Sequence, residues 1–154
     1  MAAYRKLASV NVDWYQRERS ALREERQERK KNVMSLIKTL SHAFLAGIFI
    51  INGYGAFAEP GGRVTLVDKA RIPAPRQAVI LNGGTMVVGG TALAVGFLPK
   101  LAALVLIGSL IPTTLVGHPY WKEENPQTRA NQQGQFLKNL AMIGGLVAVL
   151  LEKD

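Results

Sequence analysis

Residues 78–117 read AVILNGGTMVVGGTALAVGFLPKLAALVLIGSLIPTTLVG. Two apolar runs, residues 78–98 and 101–117, are joined by Pro99-Lys100, and Lys100 is the only charged residue in the stretch. At the α-helical rise each run approaches the roughly 30 Å hydrocarbon thickness of a bilayer. A link this short leaves only an antiparallel hairpin. Gly83, Gly84, Gly89, Gly90 and Gly96 lie in the first run. A helix in water loses about 1 kcal/mol at each such glycine relative to alanine. In lipid small residues instead let helix backbones approach, and Gly90 with Ala94 makes a small-xxx-small pair.

Two further blocks complete the pattern. Residues 40–57, LSHAFLAGIFIINGYGAF, end sharply at Glu59-Pro60-Gly61-Gly62. Residues 136–151 carry Lys138 and Asn139 near their start, and Gly144 with Ala148 repeats the small-residue spacing. Between blocks one and two, residues 63–77 form a polar loop with Pro73 and Pro75, in which residues 63–70 suit a short interfacial helix. Pro112 kinks the third block, with Thr113 and Thr114 placed to help satisfy backbone groups freed there. The sequence therefore predicts an all-α integral membrane four-helix bundle with spans at 40–57, 78–98, 101–117 and 136–151. A juxtamembrane arm, residues 1–38, precedes the bundle domain, residues 39–154.

The arm is charged. It holds ten Lys/Arg and five acids (Asp13, Glu18, Glu24, Glu25, Glu28), and residues 14–31 contain neither Gly nor Pro. Helix formers dominate, and Glu25 to Arg29 is an i,i+4 pair in the favoured order. The apolar residues Trp14, Tyr15, Ala21 and Leu22 are too sparse for a full stripe, so a solvated helix leading to the membrane is expected. Two roles suit it. One is positive-inside anchoring with attraction to anionic lipids. The other is docking of a partner subunit through Trp14, Tyr15, Arg19, Arg23, Arg26, Arg29 and Lys30. The net charge of +8 also admits nucleic acid, but acids interrupt the basic run and the apolar blocks favour a membrane. With the N-terminus inside, the inner segments hold twelve Lys/Arg and the outer loops seven, so both termini are expected on the cytoplasmic side. The arm is too long and too acidic for the n-region of a cleaved signal, so the first block is expected to remain in the protein.

The chain has no cysteine, which excludes disulfides, thiolate metal sites and self-ligated iron–sulfur clusters. Rare residue types gather instead in residues 112–145, PTTLVGHPYWKEENPQTRANQQGQFLKNLAMIGG. His118, Tyr120, Trp121, Arg129, Gln135, Lys138 and Asn139 are the candidate ligand or headgroup contacts at this outer turn. Asn52 and Asn82 are the deepest polar residues in the spans, and each could bond the other or a ligand. The two histidines invite bis-imidazole haem, but His42 belongs to the inner end of the first span and His118 to the outer end of the third. A separation of about 25 Å or more follows from the bilayer thickness, and one haem does not bridge it. Near His118 only Glu123 and Glu124 could complete a metal site, so none is predicted. No acid lies deep in a span, which weighs against an ion pump and gives little support to a solute carrier. Nucleophile triads, phosphate loops and zinc motifs are absent.

The stretches AGIFIINGYGAFAEPGG (46–62), RQAVILNGGTMVVGGTALAVGFLPKLAALVL (76–106), IPTTLVGHPYW (111–121) and FLKNLAMIGGL (136–146) resemble the DoxX family, in its actinobacterial-type branch. The resemblance implies four membrane helices, association with quinone-linked or sulfur-linked redox systems, and partnership in membrane oxidoreductase assemblies. It carries no agreed catalytic residues. This chain departs from the family pattern at Ser41-His42, where Arg-Pro is common, and at Gln135, where His is common; its long arm is an addition. The expected function is a non-catalytic accessory subunit of a larger quinone-linked respiratory or redox complex in a bacterial plasma membrane. No cofactor is expected to be bound by this chain, with quinone the one left open. The alternative is a quinone-binding or quinol-oxidising component using His118, Trp121 and Lys138.

Overall fold

The structure, a computed structural model, describes the backbone of residues 2–152 and the side chains of residues 14–152. The described elements are all helical: α1 (Ala2–Ala58), α2 (Gly61–Lys69), α3 (Pro75–Ala94), α4 (Pro99–Gly117), a short 3-10 turn (Tyr120–Lys122) and α5 (Pro126–Leu150). Helices α1, α3 and α4 are long and apolar enough to cross a membrane. The chain divides into two compact units, Met1–Lys38 and Thr39–Asp154.

In the first unit the charges are handled locally. Arg29 lies 3.7 Å from Glu25, and Lys31 donates to Glu28 at 2.7 Å. The Glu28 hydrogen bond and charge hold the Lys31 ammonium above the ordinary lysine range.

In the second unit α4 supplies the largest share of the core, four of its ten residues. Its Ala102, Ala103, Leu106 and Leu110 meet Ala46 and Phe49 of α1, Met86 and Leu93 of α3, and Leu146 and Val149 of α5. The outward faces are as apolar as the core, with Phe44 81%, Ile51 73% and Leu81 74% exposed. Such a surface is a liability in water and is ordinary in lipid, where packing rather than burial drives helix association. The tightest contact is glycine on glycine. A Cβ on Gly53 of α1 would stand 2.7 Å from the Gly83 carbonyl of α3, and one on Gly83 would stand 2.7 Å from the Gly53 carbonyl. The backbones touch there because neither residue has a side chain. Gly90 similarly faces Ala46 and Ile50.

Several boundaries differ from the sequence reading. The second span ends at Ala94 rather than at residue 98, and the α3–α4 turn is made by residues 95–98. Gly96 (φ 71°) and Leu98 (φ 46°) turn the chain through left-handed conformations, and Pro99 opens α4 at N1, where its missing N–H costs nothing. The fourth helix begins at Pro126, ten residues before the predicted span. The Asn125 side chain accepts from the Gln127 and Thr128 amides, and Pro126 again fills the first turn. Its first half is polar, and α5 is not among the three helices with spanning composition. Gly144 meets nothing within 4 Å and Ala148 is exposed, so this pair packs on no helix of the bundle.

Candidate functional site

Four polar residues of the bundle, Asn82, Ser109, Thr114 and Asn139, gather with Thr113 around Pro112, which lies inside α4. Thr113 and Thr114 follow the proline and point to different neighbours. The Thr113 hydroxyl donates to the Ser109 carbonyl at 2.8 Å and accepts from the Asn82 amide of α3 at 2.9 Å. Ser109 in turn donates to Asn82 Oδ1 at 2.8 Å. The Thr114 hydroxyl donates to the Leu110 carbonyl at 2.6 Å and accepts from the Asn139 amide of α5 at 3.1 Å. Both hydroxyls bond back four residues, to Ser109 and Leu110, not to the Gly108 carbonyl that Pro112 leaves without its usual donor. The segment around Pro112 is thus a junction that ties α3 and α5 to α4. Among the described residues no buried side-chain nitrogen or oxygen lacks a partner.

After α4, the short connecting segment turns through the Tyr120–Lys122 3-10 turn. His118 is half-buried, and its Nδ1 lies 2.7 Å from Gln132 Oε1. An amide oxygen only accepts, so in the neutral ring this contact puts the proton on Nδ1 and leaves a lone pair on Nε2. Tyr120, Trp121 and Phe136 pack edge-to-face, with centroids 5.2, 5.4 and 5.9 Å apart. Arg129 Nε donates to the Glu123 carbonyl at 2.8 Å, which fastens the loop to α5. Lys138 donates to Gln135 on the same helix.

The seven outer candidates therefore do not form one pocket. His118 pairs with Gln132. Tyr120 and Trp121 belong to an aromatic cluster. Arg129, Gln135 and Lys138 make local bonds, and Asn139 turns inward to α4. The proposed meeting of Asn52 and Asn82 is also corrected. Asn82 bonds α4, whereas Asn52 is exposed on α1 and has no side-chain hydrogen bond among the described residues. The arm candidates Trp14 and Tyr15 are exposed, with Arg19 stacked 5.4 Å over the Tyr15 ring. Arg23, Arg26 and Lys30 are exposed as well.

Sequence reasoning missed Gln132, Ser109 and Phe136. Once α5 is known to start at Pro126, residues 132, 136 and 139 fall at i, i+4 and i+7 on one face. It also missed His42 as a structural residue. His42 is buried at 4% exposure, and its Nε2 lies 3.0 Å from Glu152 Oε1. Antiparallel packing of the first and last helices brings these two chain positions together. The histidines thus bond opposite ends of α5, and residues 132 and 150 are about 27 Å apart at the α-helical rise. A shared haem is excluded by that separation. Among the described residues no three His, Asp or Glu side chains are placed to hold a metal ion.

An open apolar groove of about 640 Å³ lies between α3 and α4, with Leu81, Val88, Leu101 and Val105 in its walls and Gln77 and Thr85 as its polar side chains. Thr85 is already bonded to the Leu81 carbonyl at 2.9 Å. This groove presents a lipid-facing surface, without the convergent polar groups of a substrate site.

Comparison with curated proteins and with solved structures returns no match. The DoxX family model matches residues 40–119, which takes in the end of α1, all of α2 and α3, and α4 with its His118-Pro119 end. The match spans the glycine contact between α1 and α3 and the Asn82–Ser109–Thr113 cluster, and with three helices of spanning length the chain is a membrane protein that belongs to the DoxX family.

Proposed function

We propose that the chain is a non-catalytic accessory subunit of a larger quinone-linked redox complex in a bacterial plasma membrane, with both termini cytoplasmic. The redox setting rests on the family resemblance. The accessory role rests on one observation above all, the exposed amide of Asn52. It lies within the first span, six residues or about 9 Å from the end of α1 at the helical rise. Facing hydrocarbon, an unpaired amide loses hydrogen bonds that water would give; against a partner helix it recovers them. Asn82 and Asn139 are already bonded within the bundle, and the outward Asn52 amide is not.

The test is affinity isolation of the full chain from its native membrane in mild detergent, followed by identification of what accompanies it. Companion subunits are expected, with weaker retention for Asn52→Leu and for a chain lacking residues 1–31. A chain that runs alone, indifferent to both changes, refutes the reading.

A second reading is favoured by one feature, the Nε2 lone pair of His118 beside the Tyr120–Trp121–Phe136 cluster. It could accept a proton from a quinol headgroup seated at the interface. A quinol-oxidation assay on the purified chain and on His118→Ala tests it. Equal, negligible rates in both remove it.

A further inference from the structure

The arm's charges look interrupted in sequence and are segregated on the helix. At 100° per residue, Arg19, Arg23, Arg26 and Lys30 fall within about 60° of arc, and Glu18, Glu24, Glu25 and Glu28 all lie at least about 80° outside it. The acids therefore do not break up the basic face, and the ground on which the sequence reading weakened a basic ligand no longer applies. The ion pairs follow the same division. Glu25 and Glu28 engage Arg29 and Lys31, which stand off the stripe. Arg23, Arg26 and Lys30 have no ion pair among the described residues, and Arg19 makes only its stacking contact with Tyr15. Along one edge of the stripe run Tyr15, Leu22 and Val33, which are 49%, 58% and 50% exposed.

We infer that this face is a binding surface for anionic phospholipid, engaged when α1 bends near the boundary between the two units, at residues 38–39, so that the arm lies along the bilayer with its acidic face turned to water. Four unpaired cations match headgroup phosphates, and the aliphatic stems of Arg and Lys lie beside Tyr15, Leu22 and Val33 as snorkelling side chains do at an acyl boundary. The Arg19–Tyr15 stack suits the same layer, where aromatic rings and guanidinium groups collect. A purely electrostatic partner such as nucleic acid has no use for the apolar edge. The inference is independent of the accessory-subunit reading, because its test contains no other protein.

The chain has no cysteine, so single labels can be introduced. Leu22→Cys places a fluorophore on the edge of the stripe, and Ala21→Cys places one about 170° from its centre. The full-length protein is reconstituted into vesicles of phosphatidylcholine alone or with phosphatidylglycerol, and quenching by an aqueous reagent is measured. Phosphatidylglycerol is expected to protect the label at position 22 and leave that at position 21 open. Each cation removed should lower the bound-to-free ratio roughly fivefold, so Arg23→Gln with Arg26→Gln should lower it about 25-fold. Added salt should release the protected label in the same way. Equal quenching at position 22 in both vesicle types overturns the proposal, as does equal protection of both positions. A label open in both vesicles yet shielded in native membranes overturns it too, and assigns the face to an acidic protein.

Discussion

Gly83→Ala should be among the most damaging single-methyl changes in this chain. The new Cβ would stand 2.7 Å from both the Gly53 carbonyl oxygen and the Phe57 backbone nitrogen, and 3.0 Å from the Ala56 methyl. Ordinary contact begins near 3.4 Å. The shortfall is about 0.7 Å, and the obstacles are two backbone atoms that no rotamer change can move. Helix α1 must retreat from α3. A retreat of this size forfeits a quarter to a half of the dispersion well at each facing atom pair, and the facing residues include buried Ala56, Met86 and Phe49. Overpacking of this kind costs about 1–3 kcal/mol, offset by the roughly 1 kcal/mol that alanine gains over glycine within a helix. The upper part of that range is expected here, leaving a net loss of about 2 kcal/mol. Gly108→Ala is the matched control, because a Cβ there meets nothing within 4 Å and the helix gain is unopposed. Thermal unfolding in one detergent, followed by circular dichroism, should lower the midpoint for Gly83→Ala and hold or raise it for Gly108→Ala. Equal midpoints for the two variants would show that α1 and α3 do not meet through these glycines.

The junction at Pro112 should respond asymmetrically. Thr114→Val strands the buried Asn139 amide and should cost about 1–3 kcal/mol, whereas Asn139→Leu leaves Thr114 bonded to the Leu110 carbonyl and should cost about 1 kcal/mol; the same unfolding assay reads both, and the reverse order would refute the assignment. Trp121→Ala removes two edge-to-face contacts and should destabilise by about 1–2 kcal/mol, while leaving isolation of partner subunits intact. Glu152→Ala leaves the His42 imidazole buried without its carboxylate partner, so a loss of about 1–2 kcal/mol is expected; an unchanged midpoint would show that the C-terminal contact holds nothing in place.

Apolar block length and segregation made the membrane helices readable, because span length is a physical constant of the bilayer. Boundaries were less readable where capping competes with hydropathy. Val95, Phe97 and Leu98 look like span, yet Gly96 and the N1 preference of Pro99 turn the chain there. Residues 126–135 look like loop by polarity, yet the Asn125 cap and Pro126 start a helix through them. The candidate site depended on these boundaries. With the fourth helix begun at residue 136, Gln132 had no reason to face His118, and Asn139 stood near the helix start as a candidate headgroup contact. Begun at Pro126, the same helix carries Gln132, Phe136 and Asn139 on its inner face. Asn52 and Asn82 were alike in sequence, two amides in apolar runs. Only the helix packing separates them, since Ser109 and Thr113 lie opposite Asn82, whereas Asn52 is exposed and makes no side-chain hydrogen bond among the described residues.

That separation also bears on what the protein is for. An amide within a span is tolerated when its hydrogen bonds are made, and Asn82 and Asn139 meet this condition inside the bundle. Catalysis by such groups would require them to exchange those partners for a substrate, and their partners are hydroxyls, of which those of Thr113 and Thr114 are committed in turn to the α4 backbone next to Pro112. Releasing Asn82 would give up its two bonds to α4, and releasing Asn139 its bond to Thr114. Among the described residues, the Asn52 amide on α1, the cationic stripe of the arm and the Nε2 position of His118 carry no such penalty. The Asn52 side chain and the stripe cations are exposed. That distribution supports the proposed accessory reading, in which recognition uses exposed groups rather than the bonded amides of the bundle.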